Sequence, residues 1–272
     1  AASLHFLMGL GGMASFGHAA FFGIGAYGAA LALTALQWPI AACLLAAPLA
    51  AGLAGIFAGW LCVRLSGVYL AMLSLAVAQI AWATSFQWVE VTGGDNGILG
   101  VWPPPPFASR SGFLLLTLVL TAAALASLRI AAFSPFGYAL RAARDAPRRA
   151  EASGIHVRAT QWAAFAIAAA FAGVAGGLYA LAKGSVFPTY LAISKSVDAL
   201  IMVLLGGIGS LTGPIIGAFA FGGLEAELMA SAPFWRAILG VVILALVIVA
   251  PSGITGVLGR QIGKRQKSAA SA

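Results

Sequence analysis

Apolar residues run along this chain in blocks of about 20, the length that crosses a ~30 Å hydrocarbon core as a helix. They lack the alternation of barrel strands. A short block covers Leu4 to Ala14, and the next runs from His18 to Leu36, stopping at Gln37-Trp38-Pro39. Further blocks span Ile40 to Val63, ended by Arg64, and Gly67 to Trp88. A polar, turn-rich stretch follows, Glu90 to Ser111, with Thr92-Gly93-Gly94-Asp95-Asn96-Gly97 and Pro103 to Pro106. The remaining blocks are Gly112 to Leu128, Thr160 to Ala182, Val197 to Met229 and Phe234 to Val249. The pattern predicts an all-α, polytopic transmembrane helix bundle, one membrane domain over residues 1–272.

Between the fifth and sixth blocks lies a basic stretch, Arg129 to Arg158. It holds Arg129, Arg141, Arg144, Arg148, Arg149 and Arg158 against Asp145 and Glu151. Lys and Arg resist translocation, so this loop and the tail with Arg260, Lys264, Arg265 and Lys267 are expected on the cytoplasmic side. Leu140, Ala143, Ala150 and Ala152 sit among helix-forming residues there, which predicts a helical docking surface for a soluble partner. An even number of crossings must separate loop and tail, yet three apolar blocks lie between them. Gly206-Gly207-Ile208-Gly209-Ser210-Leu211-Thr212-Gly213-Pro214 interrupts the middle block. It leaves about 10 and 15 residues, each too short to span. Two half-helices that enter and leave on one side restore the parity, and irregular backbone at that depth needs burial or water. By the same count Glu90 to Ser111 is external, and Arg64 is a cytoplasmic snorkelling anchor.

Composition sharpens this reading. The chain of 272 residues is 61% hydrophobic and 8% charged, against about 25% charged in soluble domains. The net charge of +8 is explained by topology, so no nucleic-acid partner is expected; the lipid bilayer is. Cys43 and Cys62 read as buried thiols with packing roles. Among the 34 glycines, Gly55-x-x-x-Gly59, Gly173-x-x-Gly176 and Gly213-x-x-x-Gly217 fit close helix contacts, although such spacings also arise by chance at this glycine content. Gly11-Gly12-Met13-Ala14-Ser15-Phe16 resembles Gly206-Gly207-Ile208-Gly209-Ser210-Leu211, as paired broken helices in a repeat would. The chain opens without Met and almost inside an apolar block, which reads as the loss of one or two helices.

Little in the chain points to catalysis. Gly259 to Lys264 falls one residue short of a phosphate-binding Walker sequence, and His5, His18 and His156 are scattered, so no metal site is expected. His18 reads as a polar helix-end residue. Asp198 either complements the start of a helix or stands at a substrate mouth; Glu225 and Glu227 read as interfacial. Buried carboxylates for an ion-driven pump are scarce. Ser74, Gln79 and Thr84 are left as polar candidates for a path suited to a small solute without net charge.

Several stretches then carry a family resemblance. Gly12-Met13-Ala14-Ser15-Phe16-Gly17-His18-Ala19-Ala20-Phe21-Phe22-Gly23-Ile24-Gly25-Ala26-Tyr27 resembles a signature of branched-chain amino acid ABC transporter permeases, and within them the M-type subunit. Arg64 to Met72, Thr92 to Gly97, Phe136 to Asp145, Ala150 to Ile155, Gly206 to Pro214 and Pro251 to Ile254 match further markers in order. The resemblance implies an importer in a bacterial inner membrane. It would have a second, different permease subunit, two cytoplasmic ATPase subunits and a periplasmic substrate-binding protein, with ATP used by the partner subunits and no cofactor held by this chain. It implies that residues 134–158 form the coupling loop, with a coupling helix from Phe136 to Gly154. There Phe136, Gly137, Arg141, Arg144, Glu151 and Gly154 would serve ATPase coupling. Arg141 and Arg144 share a face and would either pair with ATPase carboxylates or only mark topology. Glu151 and Gly154 would form the helix end and the turn out of it. Ser15, Gly17, His18, Gly206, Gly207, Gly209, Gly213 and Pro214 mark the breaks. A urea or short-amide permease of the same type, and a stand-alone secondary transporter, are the alternatives.

Overall fold

The structure, a computed structural model, describes residues 1–105, 107–231, 234, 237–241 and 253–256. The expected block Phe234 to Val249, the motif residues Pro251 and Ser252, and the basic tail therefore lie wholly or mostly outside the described residues. The element order is α1 (Ala2–His5), a π-helical turn (Phe6–Leu10), α2 (His18–Thr34), α3 (Ile40–Cys62), α4 (Val68–Gln87), α5 (Val89–Thr92) and β1 (Ile98–Val101). Then come α6 (Arg110–Phe133), α7 (Pro135–Asp145), α8 (Pro147–Ala152), α9 (Val157–Lys183), β2 (Gly184–Val186), α10 (Ile193–Gly206) and α11 (Gly213–Ser231). Helices α3, α4, α6 and α9 are long and apolar enough to cross a membrane, and α2 is a shorter apolar helix. The chain is a polytopic helical bundle, as its blocks predict.

Two compact units divide the chain: Phe6–Val197, and Ala1–His5 with Asp198–Ala272. In the first, α2, α3 and α9 pack together. α3 has no polar face to turn outward, and along it size replaces polarity as the sorting rule. Along α3, Cys43, Ala47, Ala51, Gly55 and Ala58 are buried, while Leu45, Leu49, Leu53 and Phe57 are 64–67% exposed. In lipid, large apolar side chains gain nothing by leaving the surface, and small ones let backbones approach. A Cβ on Gly25 would stand 2.3 Å from the Cα of Gly173, one on Gly55 2.3 Å from the Cβ of Ala169, and one on Gly176 1.9 Å from the carbonyl oxygen of Phe22. The glycine spacing of α9 thus marks backbone contact, while the glycines of α3 make room for side chains of α9.

The turn-rich stretch after α4 is more ordered than its composition predicts. Ile98 pairs with Val186, Leu99 with Ser185 and Val101 with Gly184 in an antiparallel two-stranded ladder, with an irregularity between Leu99 and Val101. Strands of 4 and 3 residues are too short to leave a periodic signal. The glycines before them have specific work. Gly93 has φ 75° and its Cβ would meet the Gly97 carbonyl at 2.1 Å; Gly97 has φ 64° and its Cβ would meet the Val186 carbonyl at 2.1 Å. Thr92 closes the turn by donating its hydroxyl to the carbonyls of Ser85 (2.6 Å) and Trp88 (2.7 Å). Beside the ladder, the Tyr190 ring lies edge-on to Phe22, Tyr179 and Phe187.

In the second unit the glycine-rich break separates two helices, as expected, but they run longer than expected. α10 has 14 residues and α11 has 19. Pro214 belongs to the first turn of α11, where a missing N–H costs nothing, rather than to the break. A Cβ on Gly206 would meet the Gly213 carbonyl at 1.8 Å, and one on Gly217 the Met202 carbonyl at 1.9 Å. That pairing makes α10 and α11 an antiparallel hairpin in backbone contact, which is the use of the third glycine spacing. Thr255 donates to the Gly206 carbonyl (2.6 Å) and accepts from Ser210 (2.9 Å), tying the break together.

Several boundaries move. α6 takes in Arg110 and Arg129, and α9 starts at Val157 with Arg158 in its first turn, because long cationic side chains at helix ends reach past the apolar block. α10 starts at Ile193, so Asp198 lies in its second turn and does not start the helix. The macrodipole effect fades within the first turn, which removes the first of its two expected roles.

Candidate functional site

The basic loop is helical but not one helix. Ser134 caps α7 by accepting from the N–H of Gly137 (3.4 Å), with Pro135 in the first turn. Pro147 then excludes α geometry from Ala146, which sits at φ −150°, ψ 76°, and the chain restarts as α8. The single coupling helix expected from Phe136 to Gly154 is therefore two. α8 ends as a Schellman turn: the N–H of Gly154 reaches Glu151 (3.0 Å), that of Ile155 reaches Ala150 (3.0 Å), and Gly154 takes φ 84°. Glu151 and Gly154 thus stand at the helix end and in the turn out of it, as expected. Ala143, Ala150 and Val157 close a small apolar cluster beneath, with Ala142 and Ile155 against it.

The inner face of α7 is fitted to its own chain. A Cβ on Gly137 would meet the carbonyls of Ala132 (2.2 Å) and Ala131 (2.6 Å), so α7 turns out of α6 at backbone contact. Leu140 is fully buried. Arg141 donates to the Ala132 carbonyl (3.2 Å) and lies over the rings of Phe133 and Tyr138. Arg144 donates to the carbonyl of Gly9 and to Asp145 (2.7 Å), holding that carboxyl below its ordinary pKa. Each arginine satisfies a carbonyl that its helix leaves open at the C-terminal end: Arg141 serves α6 and Arg144 the π-helical turn. The outer face carries Tyr138, Arg148, Arg149 and Glu151, all exposed, with Phe136 half-buried.

The first break, Gly11 to Gly17, lies on the other side of that contact. Gly12 has φ 65°, and its Cβ would meet Cγ of Arg144 at 2.5 Å; a Cβ on Gly11 would lie 3.4 Å from Leu140. Farther on, the N–H of Phe16 donates to Ser74 Oγ of α4 (3.1 Å), and the N–H of Ala19 to Ser196 Oγ of α10 (2.9 Å). A Cβ on Gly17 would meet the Ser74 carbonyl at 2.0 Å. His18 is the first residue of α2, buried, with Phe21 edge-on to its ring at 6.1 Å. Ser15 is buried. Ser196 carried no signal in the sequence: a serine in a polar stretch is unremarked until its partner N–H is known.

The second break runs from Gly206, the last residue of α10, through Gly207 and Gly209 to Gly213, the first of α11, with Pro214 already inside that helix. Gly207 has φ 105°. It is the counterpart of Gly12 in the two similar glycine stretches, and both take left-handed backbone. Ser74 and Gln79 are not brought together. Ser74 faces the first break, while Gln79 is exposed, because five positions turn a helix by about 140°. Thr84 returns its hydroxyl to the Ile80 carbonyl (2.8 Å). Asp198 is half-buried. Among the described residues no cluster of His, Cys, Asp and Glu is placed to hold a metal ion.

A family profile described as "Branched-chain amino acid transport system / permease component" matches residues 1–250. The chain belongs to this permease family. It is 32% identical over 242 residues to the high-affinity branched-chain amino acid transport system permease protein LivM of Escherichia coli K12, covering 79% of this chain. The LivM protein of Salmonella typhimurium LT2 is 31% identical over the same length. The probable branched-chain amino acid transport permease protein LivH of Methanocaldococcus jannaschii is 34% identical over 131 residues, covering 45% of this chain and 41% of that protein. The chain spans 57% of the length of each LivM relative. No solved structure matches. The stretch Phe136 to Asp145 lies in the helix seated on α6 and the π-helical turn, and Thr92 to Gly97 forms the glycine turn that precedes β1.

Proposed function

We propose that this chain is a membrane-spanning permease subunit of an ATP-driven importer of branched-chain amino acids. It forms the translocation path with a second permease and takes its power from two cytoplasmic ATPase subunits, while a periplasmic binding protein delivers the substrate. The chain itself holds no cofactor. The observation that carries this reading is the family match over residues 1–250. Two features support it. Gln79 is exposed near the middle of α4, one of the candidate spans. An amide turned to lipid at that depth is costly, so that face suits a partner subunit or a watered path. The basic loop offers an amphipathic surface, buried at Leu140, Ala143 and Ala150 and exposed at Tyr138, Arg148, Arg149 and Glu151.

In this reading residues 134–158 are cytoplasmic, in a bacterial inner membrane, as their arginines require. The ATPase contact uses the outer face of α7 and α8. Arg141, half-buried, and Arg144, partly exposed, hold that face against its own chain. Closure of the ATPases on ATP biases the permease between inward- and outward-open states, a coupling free energy between two sites. Cysteine placed at Arg149 in the whole transporter tests the contact. It should react with a membrane-impermeant thiol reagent from the cytoplasmic side and crosslink to an ATPase subunit. Labelling only from the opposite side, or no crosslink from either Arg149→Cys or Tyr138→Cys, would overturn the arrangement.

A further inference from the structure

We propose that Arg144 is the positioning residue that ties the coupling helix to the first broken segment, so that displacement of α7 reaches the path through Gly11 to Gly17. This rests on the permease reading above and names the part that transmits the motion. The loop's other contacts on this unit are local or apolar. Gly137 and Arg141 join α7 to the end of α6, the element next to it in the chain. Arg144 reaches 135 residues back along the sequence, to the Gly9 carbonyl.

The acceptor is specific. The π-helical turn ends at Leu10, and two residues on, the left-handed backbone of Gly12 (φ 65°) sends the chain away. The N–H groups of Gly11 and Met13 both go to Leu7, and that of Gly12 to Met8. Gly9 would find its donor in a further helical turn, which the chain does not make; the guanidinium of Arg144 supplies one instead. The aliphatic stem of Arg144 covers Gly12 so closely that a Cβ there would stand 2.5 Å from Cγ. Head and stem therefore grip both sides of the point where the helix breaks. From there the chain runs through Met13 to Gly17, hooked at Ser74 of α4 through the Phe16 N–H, and into α2, whose first turn is hooked at Ser196 of α10 through the Ala19 N–H. A shift of α7 that keeps the Arg144 contact must move Gly9 and Gly12, and then strain the two serine hooks. A contact that both states need, with different geometry in each, is what lets one site bias another.

The test uses the whole transporter in proteoliposomes, with binding protein outside and ATP inside. Three variants divide the contact. Arg144→Met keeps the stem and removes the donors. Gly12→Ala keeps the guanidinium and displaces the stem. Arg144→Lys keeps a cation able to donate to Gly9. The readouts are ATPase subunits retained on purification, ATP hydrolysed, and leucine moved per ATP. Arg144→Met should keep its ATPase subunits and lower leucine moved per ATP by about tenfold or more, the scale of one lost charge-assisted hydrogen bond. Gly12→Ala, which displaces the stem and strains the left-handed turn, should keep its ATPase subunits and lower it in the same direction. Arg144→Lys should recover part of that loss. If Arg144→Met sheds its ATPase subunits while Gly12→Ala transports like the parent, Arg144 contacts the ATPase directly and the inference is wrong. Parent-like coupling in both variants also overturns it. A parent complex that moves no leucine with ATP present would instead overturn the importer reading on which the inference rests.

Discussion

Replacing Gly176 by Ala probes the rule that small residues, not polar faces, hold the α2–α3–α9 core together. The new Cβ would lie 1.9 Å from the Phe22 carbonyl oxygen and 3.0 Å from the Ala26 nitrogen. A carbon and a carbonyl oxygen rest about 3.3 Å or more apart. α2 and α9 must therefore part by roughly 1.4 Å along that direction, or the backbone must bend. Overpacking of this kind costs about 1–3 kcal/mol, and because the clash is with backbone the upper end is expected. The matched control is Gly52→Ala on α3. Its Cβ would meet only the Ala170 Cβ, at an ordinary 3.5 Å, so the helix-propensity gain of roughly 1 kcal/mol should dominate. Thermal inactivation half-lives of the purified transporter compare the two without requiring reversibility. Gly176→Ala should inactivate faster than the parent, and Gly52→Ala no faster. Equal half-lives for the two variants would refute the packing argument.

Three further outcomes follow from the same geometry. Ser74→Ala leaves the partly buried Phe16 N–H without its acceptor and should cost about 0.5–1.5 kcal/mol, read as a lower unfolding temperature together with slower uptake; an unchanged variant would show that the first break is not anchored there. Leu140→Ala empties a fully buried site under α7 and should cost about 2–5 kcal/mol, with protease sensitivity rising within residues 134–158 first. Gly97→Ala puts a side chain at φ 64° and 2.1 Å from the Val186 carbonyl. Hydrogen exchange should then rise at the amides of Ile98 to Val101 and Gly184 to Val186, with α3 and α9 unaffected.

The helices were legible where an apolar block ends against a residue that stops a helix. Pro39 precedes α3 and Gly67 precedes α4, and both edges fall within a residue or so of the expected ones. The edges at Arg110, Phe133 and Val157 are not legible, because a charge marks the end of an apolar block while its stem continues the helix. The β1–β2 ladder was hidden because so few residues form it. The basic loop was recognised by its charge and helix-forming residues, but charge says nothing about direction. Arg141 and Arg144 share a face of α7, yet that face is turned to carbonyls of the same chain. The open carbonyls at Gly9 and Ala132 exist only once two helices have ended, and no spacing in the sequence announces them. The first break was visible as Gly11-Gly12, and its anchors, Ser74 and Ser196, were not.

Uptake of labelled leucine by the reconstituted transporter tests the central claim most directly. Proteoliposomes would hold the protein together with the second permease and the ATPase subunits of the proposed importer. ATP inside and binding protein outside would be supplied together, singly, or not at all. The account predicts leucine accumulation only when both are present. Accumulation by this protein alone, without ATPase subunits or binding protein, would contradict it and point to a self-sufficient transporter or channel.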